Sequence, residues 1–444
     1  MNLTIQSTKA FYERAAQLGH DTQRLAAGET IETLGTFANL GEGRPLLSVA
    51  TPEQRKARQA TFLTPPLVAR QRLYQGRHDF AESILFADTP FIASDHDGPG
   101  NCMPARIKAV SVLRKTVRTG ETWDLTVLAS AWGTHEAVDV STTVNIGELV
   151  LEPGAKLLVQ GNVFSLLCQR LVSQAPVSGD DFHIGLLPTP FSYDIKIAGQ
   201  INGQPGAAGK SGLNGYDGLA AQISPQLIGH SLTHPITQEE MCGTHGTDAG
   251  HGEHGSNGGN GGMLKIAEIT IHELMGDLTV LATAGNGGDG GKGGDGGDGG
   301  HGGHGATGYR LIKTILPGGN GGHGGHGGHG GNGGKGGNGG LVSNIYINVP
   351  HNAEAQVHCL SFGTDGGKGA PGGHGGAAGI GGNAGQGPLP GTAGQNGVAG
   401  TAGKAGKDGR SRAAAWMFVN EKPRTGTADA LAAAPTAYPT VNQH

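Results

Sequence analysis

Three patterns of apolar and polar positions follow one another along this chain. Near the amino terminus Phe11, Ala15 and Leu18 recur at helical spacing behind Ser7 and Thr8, residues that favour helix starts. A second helix is expected from Pro52 to Thr61, stopped by Pro65 and Pro66. From Ile107 the pattern becomes strand-like: Trp123, Leu125 and Val127 alternate with Thr122, Asp124 and Thr126. Short apolar runs at Val144–Ile146, Glu148–Leu151 and Lys156–Val159, the last two joined by the Pro153-Gly154 turn, read as further strands. The turn cluster Asp95-His96-Asp97-Gly98-Pro99-Gly100 marks the boundary between the helical and strand regions.

The third pattern has a period of three. Between Asn286 and His304 a non-glycine residue occupies every third place: Asn286, Asp289, Lys292, Asp295, Asp298, His301 and His304. Glycine fills all other places. The same form returns at Asn320, His323, His326, His329, Asn332, Lys335 and Asn338. Cys242, His245, Asp248, His251, His254, Asn257 and Asn260 keep this register in a less pure run. Gly367 to Gly409 keeps glycine at every third position, broken only by Ala370 and Pro388.

A period of three fits neither an α-helix nor a strand. It fits the extended left-handed polyproline II helix, with three residues per turn. An isolated glycine helix of this type has no internal hydrogen bonds and loses much entropy on ordering. Side by side, the bare edges let backbones approach until their amides and carbonyls pair. Runs with two bare edges are therefore expected inside a bundle and runs with one at its margin. Strand sequences such as Tyr193–Ile197, Leu264–Leu281, Tyr309–Ile312, Ile345–Val349 and Val357–Leu360 precede the runs and would clamp their ends.

The expected fold is mainly β: a short-strand β-solenoid or sandwich interleaved with a bundle of polyglycine II helices, with a mixed, partly helical N-terminal domain. The predicted division is 1–105 for the N-terminal domain, 106–200 for a β-strand domain, and 201–412 for strands alternating with glycine helices. Residues 413–444 would hold a final strand, AAAWMFVN, and a disordered tail.

At residues 200–410 the chain resembles the glycine-rich, polyglycine-II-forming repeat proteins. These include tail-tip adhesins of long-tailed bacteriophages and certain glycine-rich antifreeze proteins. In the phage adhesins, glycine helices form a rigid sandwich that displays variable loops to a host receptor, so the resemblance implies a presenting role. This chain departs by interleaving strands and by carrying rows of Asp, Lys and His, which speak against a flat ice-binding face. The last run is collagen-like in having Gly-X-Y form, but proline is nearly absent from X and Y. GGKGGDGGD also resembles the start of the Ca²⁺-binding β-roll nonapeptide, yet Gly297 stands where that motif needs a large apolar residue.

Composition narrows the functions further. Glycine supplies 85 of 444 residues, far above the ~7% of an ordinary domain. A net charge of −5 argues against general nucleic-acid binding. Four dispersed cysteines (Cys102, Cys168, Cys242 and Cys359) give no CxxC pair and no disulfide framework. No apolar run reaches the ~20 residues of a membrane span, and no signal peptide is visible. A cytoplasmic, non-classically exported or particle-associated protein is expected.

Twenty histidines bring a candidate chemistry. Cys242, His245, Asp248, His251, His254, His301, His304, His323, His326 and His329 are ligand types for Zn²⁺, Ni²⁺ or Cu²⁺, although the spacing is not that of a standard zinc site. No cofactor is certain. Asp180, Asp181 and His183 form a polar cluster beside strand sequence, as in carbohydrate-cleaving solenoids. No nucleophile elbow, Walker loop, dinucleotide fingerprint or HExxH is present. The favoured reading is a non-enzymatic scaffold or adhesin that meets a surface receptor, glycan or partner protein and is compatible with homo-oligomers. Its contact face would be Asp289, Lys292, Asp295, Asp298, Asn320, Asn332, Lys335 and Asn338. The alternatives are a His-rich metal-binding protein and a toxin or carbohydrate-active enzyme.

Overall fold

The strand-forming residues build two parallel sheets that share one apolar core. The computed structural model describes residues 3–62, 86, 105–128, 131, 140–174, 181–188 and 201–425. The chain opens with α1 (Ile5–Gln17), α2 (Thr22–Ala26), β1 (Thr30–Phe37), α3 (Leu40–Leu47) and α4 (Pro52–Phe62). The first helix starts before Ser7 and Thr8 because Thr4 serves as its cap, its hydroxyl accepting the Ser7 amide at 3.1 Å.

The chain then alternates between the sheets. It passes from β2 (Ala105–Val117) to β3 (Thr122–Asp124), from β4 (Val140–Leu151) to β5 (Lys156–Gln160), and from β6 (Val163–Ser173) to β7 (Ile184–Leu187). After the small distal hairpin β8 (Ile223–Pro225) and β9 (His230–Leu232) it returns through β10 (Ala267–Ile271), β11 (Leu274–Met275) and β12 (Leu278–Thr283). A second distal hairpin, β13 (Tyr309–Arg310) and β14 (Ile315–Leu316), precedes β15 (Ile345–Asn348) and β16 (Val357–Phe362). The described chain ends with β17 (Met417–Val419) and β18 (Lys422–Thr425).

The larger sheet has the order β1-β2-β4-β6-β10-β15-β17-β18, and the facing sheet β16-β12-β7-β5-β3. Parallel pairing runs through both, with antiparallel β1 and β18 at the two ends of the larger sheet. Val144, Ile146, Leu166, Ile269 and Ile347 of one sheet pack with Leu157, Ile184, Val280 and Val357 of the other. Leu125 and Val127 are buried beyond the end of β3, so their alternation serves the core without continuing the strand.

Apart from the two distal hairpins, the strands after residue 200 join the same two sheets as those before it, so a boundary there divides no core. The expected strand at Tyr193–Ile197, the stop at Pro65-Pro66, the turn at Asp95–Gly100 and the tail beyond Thr425 lie outside the described residues.

The N-terminal helices cover the outer side of the larger sheet through buried polar contacts. Glu268 of β10 accepts from the Ser48 hydroxyl and the Val49 amide, both at 2.9 Å, and pairs with the fully buried Arg58. Arg58 also meets Glu421 at 3.0 Å and lies 4.4 Å over the Tyr346 ring. Asn145 donates to the Phe11 carbonyl at 3.0 Å. A buried ion pair that loses one partner strands the other charge, so these contacts fix where the helices sit.

Six extended glycine rods leave the sheets: rod 1 (201–218), rod 2 (242–262), rod 3 (285–306), rod 4 (318–340), rod 5 (365–386) and rod 6 (391–411). Rods 3 and 5 follow β12 and β16 of the smaller sheet. Rods 2, 4 and 6 lead into β10, β15 and β17 of the larger one. The slab therefore has two layers, rods 1-3-5 over rods 2-4-6, with parallel neighbours inside a layer and antiparallel neighbours between layers.

Strand register and rod register agree. Ala267 pairs with Ile345, an offset of 78, and the rod 2 to rod 4 contacts carry the same offset of 78. Leu278 pairs with Val357, an offset of 79, repeated between rods 3 and 5. Ile345 pairs with Met417, an offset of 72, repeated between rods 4 and 6. The sheets align the chain segments, and the rods continue that alignment outward.

Close approach leaves no room for side chains on the inner edges. A Cβ on Gly300 would lie 1.9 Å from the Leu213 carbonyl oxygen, and one on Gly328 would lie 1.9 Å from that of Gly250. Overpacking of this kind costs roughly 1–3 kcal/mol or more. Gly300→Ala is expected to lower stability by about 3 kcal/mol in a denaturant titration, whereas Ala405→Ser on an exposed edge leaves it unchanged. Equal stability of the two variants would show that the rods are not in backbone contact.

Candidate contact faces of the glycine slab

The amides of one triplet show how the slab is held. In rod 3 the Gly299 amide donates to the Ala377 carbonyl at 2.9 Å and the Gly300 amide to the Thr247 carbonyl at 3.0 Å. The third amide, that of His301, points along the outer face and donates to Asn214 Oδ1 at 2.8 Å. Rod 4 repeats the scheme: Gly324 donates to Gln395 and Gly325 to Gly300, while His326 donates to Asp248 Oδ1. Two partners in each triplet are backbone. The third is a side chain of the neighbouring rod.

This geometry explains the residue types on the outer edges. The third amide needs an acceptor one atom beyond the neighbour's Cγ, and Asn, Asp and His each carry one there as Oδ1 or Nδ1. Eight histidines use Nδ1 in this way: His245, His251, His254, His301, His304, His323, His326 and His329. Asn257, Asn260, Asn320, Asn332 and Asn338 do the same with Oδ1. At Asp295 the bond from the His374 amide, aided by Lys292, holds the carboxyl below its usual range.

Lys292 has no acceptor to offer, and the residue beside it on rod 5 is Pro371. Lys368 and His374, one triplet to either side, donate their amides to Asp289 and Asp295. Pro371 has no amide hydrogen to donate. The missing acceptor faces a missing donor. The lateral margins follow a related rule: Thr244, Thr247 and Ser256 of rod 2 accept from rod 1 amides, and Asn396 and Asp408 of rod 6 accept from rod 5 amides.

The sequence-predicted residues fall on two opposite faces. Asp289, Lys292, Asp295, Asp298, His301 and His304 lie on the outer edge of rod 3, in the first layer. Cys242, His245, Asp248, His251 and His254 of rod 2 share the other face with Asn320, His323, His326, His329, Asn332, Lys335 and Asn338 of rod 4. The contact face expected from the edges of the two GGX runs is thus divided between two surfaces.

On the second face the rings of His245 and His323 stack at 4.7 Å with 8° between planes, and those of His251 and His329 at 4.9 Å. With Nδ1 engaged, each neutral ring carries its proton on Nε2. Among the described residues, no group of three or more His, Cys, Asp or Glu side chains is placed to hold a metal ion.

Two of the other polar candidates have structural contacts. Asp181 pairs with Lys156, and buried His183 accepts the Thr279 amide on Nδ1 at 3.0 Å. Asp180, Asp95, His96, Asp97 and Cys102 lie outside the described residues. Burial pushes the Cys168 thiol up to about 12 and the Cys359 thiol up to about 11, so neither is a reactive thiolate near neutrality. Among the described residues no helix is long and apolar enough to cross a membrane. Compared with known proteins, the chain matches no family model, no curated protein and no solved structure.

The acceptor role separates substitutions sharply. His326→Asn keeps an acceptor at the same distance and is expected to preserve stability, while His326→Leu strands the Val398 amide and costs about 1 kcal/mol. Long-range ¹⁵N correlation spectra at mildly alkaline pH should show the Nε2–H tautomer for all eight rings. Predominance of Nδ1–H would contradict the assignment.

Proposed function

We propose that this chain is a non-enzymatic scaffold or adhesin in which six polyglycine II helices, set on a β-solenoid base, present an ordered surface to a receptor, glycan or partner protein. The observation that supports it is the triplet bonding of the slab. Two of every three amides in the central rods are bonded to neighbouring backbones, and side chains engage most of the third set. Such a body is ordered before it meets a partner, so binding costs little further conformational entropy.

At ~3.1 Å per residue, rod 4 would extend roughly 70 Å from the sheets. Its far end carries the loops 219–241, 307–317 and 387–390, joined by a small core of Ala221, Met241 and Ala306. Leu227 and Ile228 stand exposed on this tip. The N-terminal helices and the sheets would form the anchoring base, and the slab the displayed part. This reading fits a protein carried on a particle or exported by a non-classical route.

The test compares the full chain with a variant carrying Gly325→Val and Gly328→Val, which break the slab at its centre. On a glycan array and on whole cells the intact chain is expected to bind. The variant should lose at least tenfold in affinity while keeping its strand signal in circular dichroism. Unchanged binding by the variant would show that the slab presents nothing.

A further inference from the structure

The two slab faces differ in charge. On the outer edges of rods 1, 3 and 5 stand Asp217, Asp289, Asp295, Asp298 and Asp365 against Lys292 and Lys368. The edges of rods 2, 4 and 6 reverse this. There Lys335, Lys404, Lys407 and Arg410 stand against one carboxylate, Asp248. Asp408 and Glu253 belong to the lateral margins, where they accept the Gly369 and Ala207 amides.

The four cations form one group close to the sheets. Lys404, Lys407 and Arg410 follow one another at triplet spacing on rod 6, about 9.3 Å apart at the rise of a threefold helix. Lys335 lies beside Lys407, its rod joined there by the Gly336 amide to the Lys407 carbonyl at 2.9 Å. All four are exposed, and none forms an ion pair among the described residues. Like charges held together without ion-pair partners repel one another until an anion arrives.

Further along the same face come the histidine rows. Since Nδ1 is taken by a neighbouring amide, each ring offers Nε2–H from its far side, with no protein acceptor among the described residues. The rings are fixed by that bond, and the pairs His245–His323 and His251–His329 also by stacking, so the donors are pre-aligned. The face is thus a strip of donors running along the rods and ending in a cation cluster.

We infer that this face binds a linear acidic polysaccharide, laid along the rods with its carboxylates or sulfates over Lys335, Lys404, Lys407 and Arg410. The inference rests on the scaffold reading and names its ligand class. A flat, rod-lined strip matches an extended chain better than a compact ligand. Fixed donors beside concentrated positive charge select anionic over neutral glycans.

The experiment immobilises the full chain and measures binding of polygalacturonate, dextran sulfate, neutral dextran and a single-stranded oligonucleotide. Both acidic polysaccharides should bind and neutral dextran should not. Affinity should fall at least tenfold between about 50 mM and about 300 mM salt. Lys404→Glu with Lys407→Glu and Arg410→Glu should lose at least tenfold at unchanged melting temperature, while Lys292→Glu with Lys368→Glu on the opposite face should not weaken binding. Failure of both acidic polysaccharides to bind, indifference to the triple reversal, or tighter capture of the oligonucleotide would overturn the inference. So would salt-sensitive dimerisation in sedimentation velocity that the triple reversal abolishes, since a second copy's acidic face would then be the occupant. A chain that binds other glycans through an intact slab while ignoring both polyanions would sink this inference alone and leave the scaffold reading standing.

Discussion

The whole slab depends on backbone-to-backbone approach close enough for amide and carbonyl groups of different rods to pair. That approach forbids a Cβ on the inner edges, as at Gly328, where one would fall 1.9 Å from a carbonyl oxygen. Glycine is otherwise a poor choice for an ordered element, because its unfolded chain has the most freedom to lose. Here the entropy cost is offset by hydrogen bonds on several sides of each rod and by a bundle in which no apolar core is required. Apolar residues are correspondingly concentrated in the two sheets.

The sheets supply what the rods lack, namely a way to choose a register. Glycine triplets are nearly alike, and a rod could slide by three residues with little change in its backbone contacts. Strand pairing removes that freedom, since Ala267 opposite Ile345 and Leu278 opposite Val357 fix the offsets that the rods then repeat. Those strands are aligned by side-chain packing, which discriminates between registers far more strongly. Buried Arg58 and Glu268 extend this anchoring to the N-terminal helices.

The three-residue period and the mainly β character could be read from the chain because both rest on local spacing. Helix ends were less legible: Thr4 displaced Ser7 and Thr8 as the cap because the choice depends on which hydroxyl reaches a free amide. The order of the rods could not be read, since it follows from strand pairing between residues more than seventy positions apart. The histidines read from sequence as metal-ligand types, whereas in the fold eight of them are acceptors for backbone amides. A signal for that role was present. Asn, Asp and His share one chemical feature, an acceptor attached to Cγ, and they fill most triplet positions of rods 2, 3 and 4.

The same feature divides the exposed residues into two surfaces of opposite charge, because each row of side chains must reach sideways along its own layer. What the slab presents is therefore a by-product of how it is held together. The most direct measurement is amide hydrogen exchange across residues 286–340 in the full chain. Cross-bonded rods predict slow exchange at the glycine amides of both runs, such as Gly299, Gly300, Gly324 and Gly325, protected to a degree comparable with β10 and β15. Exchange at the rate of an unstructured peptide throughout that stretch would contradict the account.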